Sequence, residues 1–494
     1  MEFERDYYAI LGIPSGADEQ IIKRAYRQLA RRYHPDVSTE EQAPEHFREI
    51  QEAYELLLDP IQREAYDHWR KQQGLDRPLP LILRVTPSHS VLPCLGEPQV
   101  LYVLVELLAA DTARGQRLPI NLCLVLDRST SMKGTRLHQV KEAARHIVDQ
   151  MEPDDVLSII AFSDRAQVVL AGRRRIDQAT ARAAISSIRS GGGTEIFQGL
   201  KLGLEQVERW HTPDSISHLI LLTDGQTYGD EDDCRGVARL AGERQIPITT
   251  MGIGSDWNDK LLDEIASLSR APGSSMYIDS TEKIAQAFHD QISGLGSTFA
   301  HHLALSIHQS EGVSLKEMFQ VSPHINQLFS VDDKVALGSL EAQHPQAVIM
   351  ELLVGSHTPG THRLIHADVE GIVPALSGQP VRIRQAVEVS FVTDLDRRAP
   401  LPPDIVSAMG KLTIFRMQER VMREIEVGQI ESAVNRLKTM ATRLLDIGEA
   451  DLARAALLEA GRLAQTGTLS AEGRKKLRYG TRELRILPKE VRYD

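Results

Sequence analysis

The sequence predicts a multidomain chain that mixes α and β: an N-terminal helical domain, a doubly wound α/β domain inserted in a β-sandwich, and a C-terminal helical bundle. Three observations predict this. Two amphipathic helical stripes occupy the first sixty residues. Apolar runs of strand length alternate with helical patterns between residues 118 and 297. Strand-like segments broken by Pro and Gly stand on both sides of that block, and the pattern turns helical from Pro403. The divisions follow as a helical domain at 1–70, a linker at 71–78, sandwich strands at 79–117 and 298–398, the α/β domain at 118–297, the bundle at 399–480 and a tail at 481–494.

The first stripe runs through Ile21, Ile22, Ala25, Tyr26, Leu29, Ala30 and Tyr33, a helical spacing. Asp18 and Glu19 open it, which suits the positive end of a helix dipole. Its other face carries Lys23, Arg24, Arg27, Arg31 and Arg32. Pro35 ends the helix, because it lacks an N–H and restricts His34. A second stripe follows at Phe47, Ile50, Ala53, Tyr54 and Leu57. Neither stripe can be buried alone, so the two helices are expected to pair antiparallel across the His34-Pro35-Asp36 loop.

In the α/β block, Ile120 to Leu126 and Leu219 to Leu222 are nearly unbroken apolar runs, as central parallel strands covered on both faces require. Helical patterns at Leu137 to Met151, Thr180 to Ile188, Gln198 to Trp210 and Cys234 to Arg244 alternate with them. The two runs deliver Asp127 and Asp224 to the carboxyl ends of the strands, where open α/β sheets bind ligands. Ser129 and Ser131 bring hydroxyls near the first carboxylate, and the Gly191-Gly192-Gly193-Thr194 loop adds a third. The set is all oxygen, which suits Mg²⁺, or Mn²⁺, better than zinc or copper. The acidic run Asp230 to Asp233 reads as a solvated loop or helix start in preference to a second cation site.

The flanks carry LILRV and VLYVLVELLA before the α/β block, and LALSIH, KVALGSL, AVIMELLV, THRLIHADV and QAVEVSFV after it. Together they make one sandwich with the α/β domain inserted. The rival arrangement is a separate β-domain at 299–395 with 79–110 as an edge hairpin. Beyond Pro403 three helical segments follow, with Gly428 and Gly448 at helix ends. They read as a packing cap, or else as a partner surface.

The N-terminal segments DYYAILGI (6–13), KRAYRQLARRYHPD (23–36), FREIQEAYELLLDP (47–60) and REAYD (63–67) fall in the order found in J-domains. The first 70 residues or so resemble that module of DnaJ-like co-chaperones. The resemblance implies that Lys23, Arg24, Arg27 and Arg31 dock on a DnaK-class heat-shock ATPase, and that His34, Pro35 and Asp36 trigger hydrolysis there. No Gly/Phe-rich segment and no CxxCxGxG repeat follows, so client selection is expected of the rest of the chain.

The segments DRSTSMKG (127–134), GGGTEIFQGL (191–200), LLTDGQ (221–226) and TTMGIGSDWNDKLLDEIA (249–266) resemble von Willebrand factor A (VWA) domains with an intact metal-ion-dependent adhesion site. That resemblance implies one metal held by Asp127, Ser129, Ser131, Thr194 and Asp224, with a carboxylate from a protein partner completing its shell.

The net charge of −11 argues against general nucleic-acid binding. Cys94, Cys123 and Cys234 never form a CxxC, which fits a reducing compartment and no structural zinc. No secretory signal and no apolar run of membrane length is visible, so a cytoplasmic protein without membrane contact is expected. Together these readings predict a non-enzymatic co-chaperone that recruits a DnaK-class ATPase and binds a client through a Mg-dependent site. The alternative is a VWA adaptor of a MoxR-like AAA+ ATPase in complex assembly or metal insertion. A metal-dependent hydrolase built on Asp127 and Asp224 lacks a positioned base or nucleophile motif.

Overall fold

The structure, a computed structural model, describes residues 7–11, 13, 17, 19–33, 43–72, 81–110, 117–269, 274–330, 333–376, 380–393 and 400–484. The chain divides into two compact units, Met1–Leu79 and Pro80–Asp494.

The first unit is helical: α1 (Tyr7–Leu11), α2 (Glu19–Tyr33), α3 (Ala43–Leu58) and α4 (Pro60–Gln72). Pro60 opens α4, where its missing N–H is not needed. Just before it, the Asp59 carboxylate accepts from the N–H groups of Ile61 at 2.9 Å and Gln62 at 3.2 Å, as an N-cap does. Ile22 and Ala25 of α2 meet Ile50, Ala53 and Leu57 of α3 in the core, and Tyr26 stacks on Tyr54 with ring centroids 3.9 Å apart. Tyr66 closes the bundle from α4, its hydroxyl accepting from the Tyr7 N–H at 2.9 Å. Ile21, counted in the sequence stripe, is 42% exposed. The buried face is instead centred on Ile22, Ala25, Tyr26 and Leu29, an i, i+3, i+4, i+7 set.

In the second unit β1 (Leu81–Pro87), β2 (Val91–Pro93) and β3 (Gln99–Ala109) precede the α/β domain. That domain holds β4 (Ile120–Asp127), α5 (Thr135–Gln150), β5 (Val156–Phe162), β6 (Ala166–Arg173), α6 (Gln178–Ser187), α7 (Ile196–Glu208), β7 (Ile216–Thr223), α8 (Glu231–Glu243), β8 (Ile248–Ile253), α9 (Asp259–Leu268), β9 (Ser275–Ile278) and α10 (Ile284–Gly296). Its sheet has the order β6-β5-β4-β7-β8-β9, parallel except for the β6 edge. Every residue of β4, β5 and β7 is buried, so their continuous apolar runs follow from helices on both faces.

The chain then forms β10 (Thr298–Gln309), β11 (Val313–Ser322), β12 (Asn326–Gln327), β13 (Lys334–Glu341), β14 (Gln346–Val354), β15 (Gly360–Ile372) and β16 (Pro380–Val392). Two sheets result, β1-β3-β14-β11-β12 and β13-β10-β15-β16-β2. β3 lies between β1 and β14, with Val105 opposite Val348. The strands before and after the α/β domain are therefore interlocked in one sandwich, which excludes a separate β-domain with a mere edge hairpin.

Helices α11 (Pro403–Glu426), α12 (Ile430–Asp446), α13 (Ala450–Thr466) and α14 (Ala471–Arg482) complete the chain. Leu104, Phe319 and Ile349 on the outer face of the first sheet share a core with Ile405, Leu412 and Phe415 of α11. Val103 and Val105 face the sandwich interior, so β3 is apolar on both faces because both are covered. α14, unforeseen in the sequence, docks on the α/β domain. Lys475 donates to the carbonyls of Ser255 at 2.8 Å and Trp257 at 2.7 Å and lies 3.9 Å from the Trp257 ring centroid. Arg474 and Arg478 pair with Asp259, and Arg478 and Arg482 with Asp263. Among the described residues, no helix is long and apolar enough to cross a membrane.

Candidate functional site

From β4 the chain moves through β5 to β6 on one side of the sheet, and from β7 through β8 to β9 on the other. The strand order therefore reverses between β4 and β7. A crevice opens there at the carboxyl ends, the place where such sheets bind ligands. Asp127 ends β4, and Asp224 follows Thr223 at the end of β7.

The two carboxylates are built in. Asp127 is 0% exposed and Asp224 1%. Asp127 Oδ1 accepts from the Ser129 N–H at 2.7 Å and its Oδ2 from the Thr223 hydroxyl at 2.6 Å. The Ser129 and Ser131 hydroxyls lie 3.0 Å apart, and Ser131 donates to Asp224 Oδ1 at 2.6 Å. Arg136, at the start of α5, donates to Asp224 Oδ2. Ser131 is exposed and opens the group to solvent.

Thr194 comes from the glycine loop. A Cβ at Gly225 would stand 2.9 Å from the Thr194 hydroxyl oxygen, so this hydroxyl lies against the backbone next to Asp224. The loop needs its glycines: Gly192 has φ +86°, and a side chain at Gly192 or Gly193 would meet Asp164, whose carboxylate accepts from the Gly193 N–H at 2.6 Å. Asp127, Ser129, Ser131 and Asp224 thus form one hydrogen-bonded chain, with Thr194 beside it. Sequence reading missed Thr223, Arg136 and Asp164. Thr223 was within reach, as the residue before Asp224.

Burial pushes the Asp127 carboxyl up to about 6, against the opposing pull of the Thr223 and Ser129 hydrogen bonds. A buried carboxylate in this condition favours a cation. The donor set is of the kind a hard cation takes: two buried carboxylates and three hydroxyls, with Ser131 Oγ 2.6 Å from Asp224 Oδ1 and 3.0 Å from Ser129 Oγ. Among the described residues no three His, Cys, Asp or Glu are placed to hold an ion. This set differs in kind, with two carboxylates and three hydroxyls.

The acidic run has a structural part. Asp230 accepts from the Phe197 N–H at 3.0 Å, tying the start of α7 to the β7–α8 loop, and Asp232 and Asp233 are exposed. This agrees with the helix-start reading.

On α2, Arg24 and Arg27 are exposed, while Lys23 forms an ion pair with Glu19 one turn earlier. The Arg31 side chain and the loop residues His34, Pro35 and Asp36 lie outside what the structure describes.

Comparison with known proteins matches three parts of the chain. Residues 6–67 match the DnaJ domain, 121–291 the von Willebrand factor type A domain, and 403–486 the Sll0103-like C-terminal alpha-helical domain. The uncharacterized protein sll0103 of Synechocystis sp. is 31% identical over 371 residues, covering 74% of this chain and 87% of that protein. DnaJ homolog subfamily B member 5 of Mus musculus is 54% identical over 68 residues, 14% of this chain and 20% of the mouse protein. This chain thus spans only a fifth of that relative. Among solved structures, a von Willebrand factor type A protein from Catenulispora acidiphila superposes with a TM-score of 0.67 at 17% identity, over 81% of this chain and 96% of that one. This likeness shows a shared fold. The chain belongs to the family of the Synechocystis protein sll0103, built on a von Willebrand factor type A domain, and it carries a DnaJ domain at its N-terminal end.

Proposed function

We propose that this protein is a co-chaperone whose J-domain recruits and stimulates a DnaK-class ATPase and whose VWA domain holds a protein client. The supporting observation is the joining, in one chain, of a DnaJ domain to a convergent set of oxygen donors at a sheet crevice. Asp127, Ser129, Ser131, Thr194 and Asp224 would hold Mg²⁺, with Mn²⁺ as a substitute. When bound, the ion supplies an open position for a carboxylate oxygen of the client. The protein's own residues prepare that place. Thr223 and the Ser129 N–H fix Asp127, Ser131 and Arg136 fix Asp224, and the glycine loop brings Thr194 alongside.

The chain contributes binding, and ATP hydrolysis takes place on the partner. Arg24 and Arg27 offer exposed positive charge for docking, and His34, Pro35 and Asp36 supply the triggering loop.

The test is affinity capture by the full chain in Mg²⁺ and in EDTA, with partners identified by mass spectrometry. Clients should be lost in EDTA and in Asp127→Ala and Thr194→Ala, while a DnaK-class protein is retained. Retention of the same clients under all these conditions would refute the metal-dependent half of the proposal. Absence of a DnaK-class protein from the wild-type capture would refute the other half.

A further inference from the structure

The two carboxylates of the metal site are not equivalent. Asp224 already has a cation, because the Arg136 guanidinium donates to its Oδ2 and forms an ion pair with it. Asp127 instead takes neutral donors, the Ser129 N–H and the Thr223 hydroxyl. Other charges close by in the chain are turned elsewhere. Arg128 donates to the Arg189 carbonyl at 3.4 Å, and the Asp164 carboxylate accepts from the Gly193 N–H.

Arg136 stands where its own helix disfavours a cation. It is the second residue of α5, whose first turn carries no acid and whose N-cap is Gly134. The positive end of a helix dipole repels a guanidinium there. Contacts from other parts of the site hold it in compensation. Its Nη1 also lies 3.5 Å from the Ser131 carbonyl, and its Nη2 lies 3.4 Å from the point a Cβ would occupy at Gly254, just after β8. The Arg136 side chain is 38% exposed and that of Asp224 is 0% exposed. The cation therefore reaches the surface of the site, and the carboxylate beneath it does not.

The charges decide what the site accepts. Two carboxylates and one guanidinium leave a single net negative charge. A divalent ion turns that into a single net positive charge. Without Arg136, the two carboxylates would neutralise the ion outright. Arg136 thus works against an ion arriving alone, since two like charges then share Asp224. It works in favour of an ion that arrives with an anionic oxygen, which brings the group to neutrality.

We propose that Arg136 makes ion and carboxylate binding at this site interdependent. Acting through Asp224, its charge keeps the affinity for Mg²⁺ alone low and reserves the open position for an acidic group over a neutral carbonyl or hydroxyl. The inference rests on the metal-site reading given above and adds to it a residue that sets specificity.

The test is calorimetric titration of the full chain with Mg²⁺, in sodium chloride and in sodium acetate of equal ionic strength. In chloride, Arg136→Gln should bind Mg²⁺ about tenfold more tightly than wild type. Arg136→Lys, which keeps the charge, should stay near wild type. Acetate should tighten Mg²⁺ binding by wild type and by Arg136→Lys, and should do so less for Arg136→Gln, because the coupling is reciprocal. Equal or weaker Mg²⁺ affinity in Arg136→Gln overturns the proposal and leaves Arg136 a mere prop for Asp224. An Arg136→Lys protein as tight as Arg136→Gln overturns it too, since charge would not be the cause. Acetate that acts equally on wild type and Arg136→Gln, or on neither, overturns the coupling. These three failures leave the metal-site reading standing. If neither wild type nor Arg136→Gln binds Mg²⁺ in either medium, that reading falls together with the inference.

Discussion

Replacing Asp127 by Asn should stabilise the metal-free protein and abolish its response to Mg²⁺. Without a metal, Asp127 is fully buried and its carboxyl is raised to about 6, chiefly by desolvation. A carboxyl raised in the folded state contributes stability that is complete below its unfolded value, near 4, and is lost as pH climbs through about 6. At neutral pH the burden is on the order of 3 kcal/mol for a shift of this size. Asn removes the charge but cannot accept from both the Ser129 N–H and the Thr223 hydroxyl, which returns about 1 kcal/mol of the gain. The net expectation is a gain on the order of 1–2 kcal/mol in EDTA. Mg²⁺ at a hundred times its dissociation constant should stabilise the wild type by about 2.7 kcal/mol and the variant not at all. The proton and the ion compete for Asp127, so the Mg²⁺ effect should fade as pH drops through about 6. Thermal melts read by tryptophan fluorescence suit the case, since Trp210 and Trp257 both lie in the α/β domain. An Asp127→Asn protein less stable than wild type in EDTA at neutral pH would refute the reasoning, as would an undiminished Mg²⁺ effect near pH 5.

Three further predictions concern packing and docking. Lys475→Met should cost about 2 kcal/mol, because it strips the carbonyls of Ser255 and Trp257 of their buried donor and removes the charge from the Trp257 ring; an unchanged melting temperature would show that α14 is not anchored there. Gly252→Ala would place a Cβ 2.0 Å from the Trp257 ring, and overpacking of this kind should cost about 1–3 kcal/mol or more in a denaturant titration. Arg24→Ala with Arg27→Ala should weaken DnaK-class binding more than Lys23→Ala, because Lys23 is already paired with Glu19. Added salt should weaken the wild-type contact in the same way, and salt-independent binding measured by calorimetry would contradict this role for the basic face.

The fold was legible wherever local pattern matched burial. The β4 and β7 runs are apolar because both sheet faces are covered, and their terminal aspartates lie where the chain order reverses. Asp127, Ser129, Ser131, Thr194 and Asp224 could be named because each sits in a short segment of fixed spacing. Arg136 could not, because its pairing with Asp224 depends on how α5 leaves the loop. α14 escaped notice for a related reason. Its inward face is built from buried Lys475 and Tyr479 and half-buried Arg478, which sit there only because carbonyls and acids more than 200 residues away satisfy them. The irregularity in β10 was equally hidden: its register breaks between Ala300 and Leu303, and the adjacent His301 and His302 rings come within 4.6 Å of each other, where strand alternation predicts opposite faces.

The central claim is that this chain acts through a DnaK-class partner, and steady-state ATP hydrolysis by such a partner tests it most directly. The full chain should accelerate hydrolysis, and His34→Gln should abolish the acceleration while leaving the circular dichroism spectrum unchanged. Equal stimulation by wild type and His34→Gln, or none by either, would contradict the account.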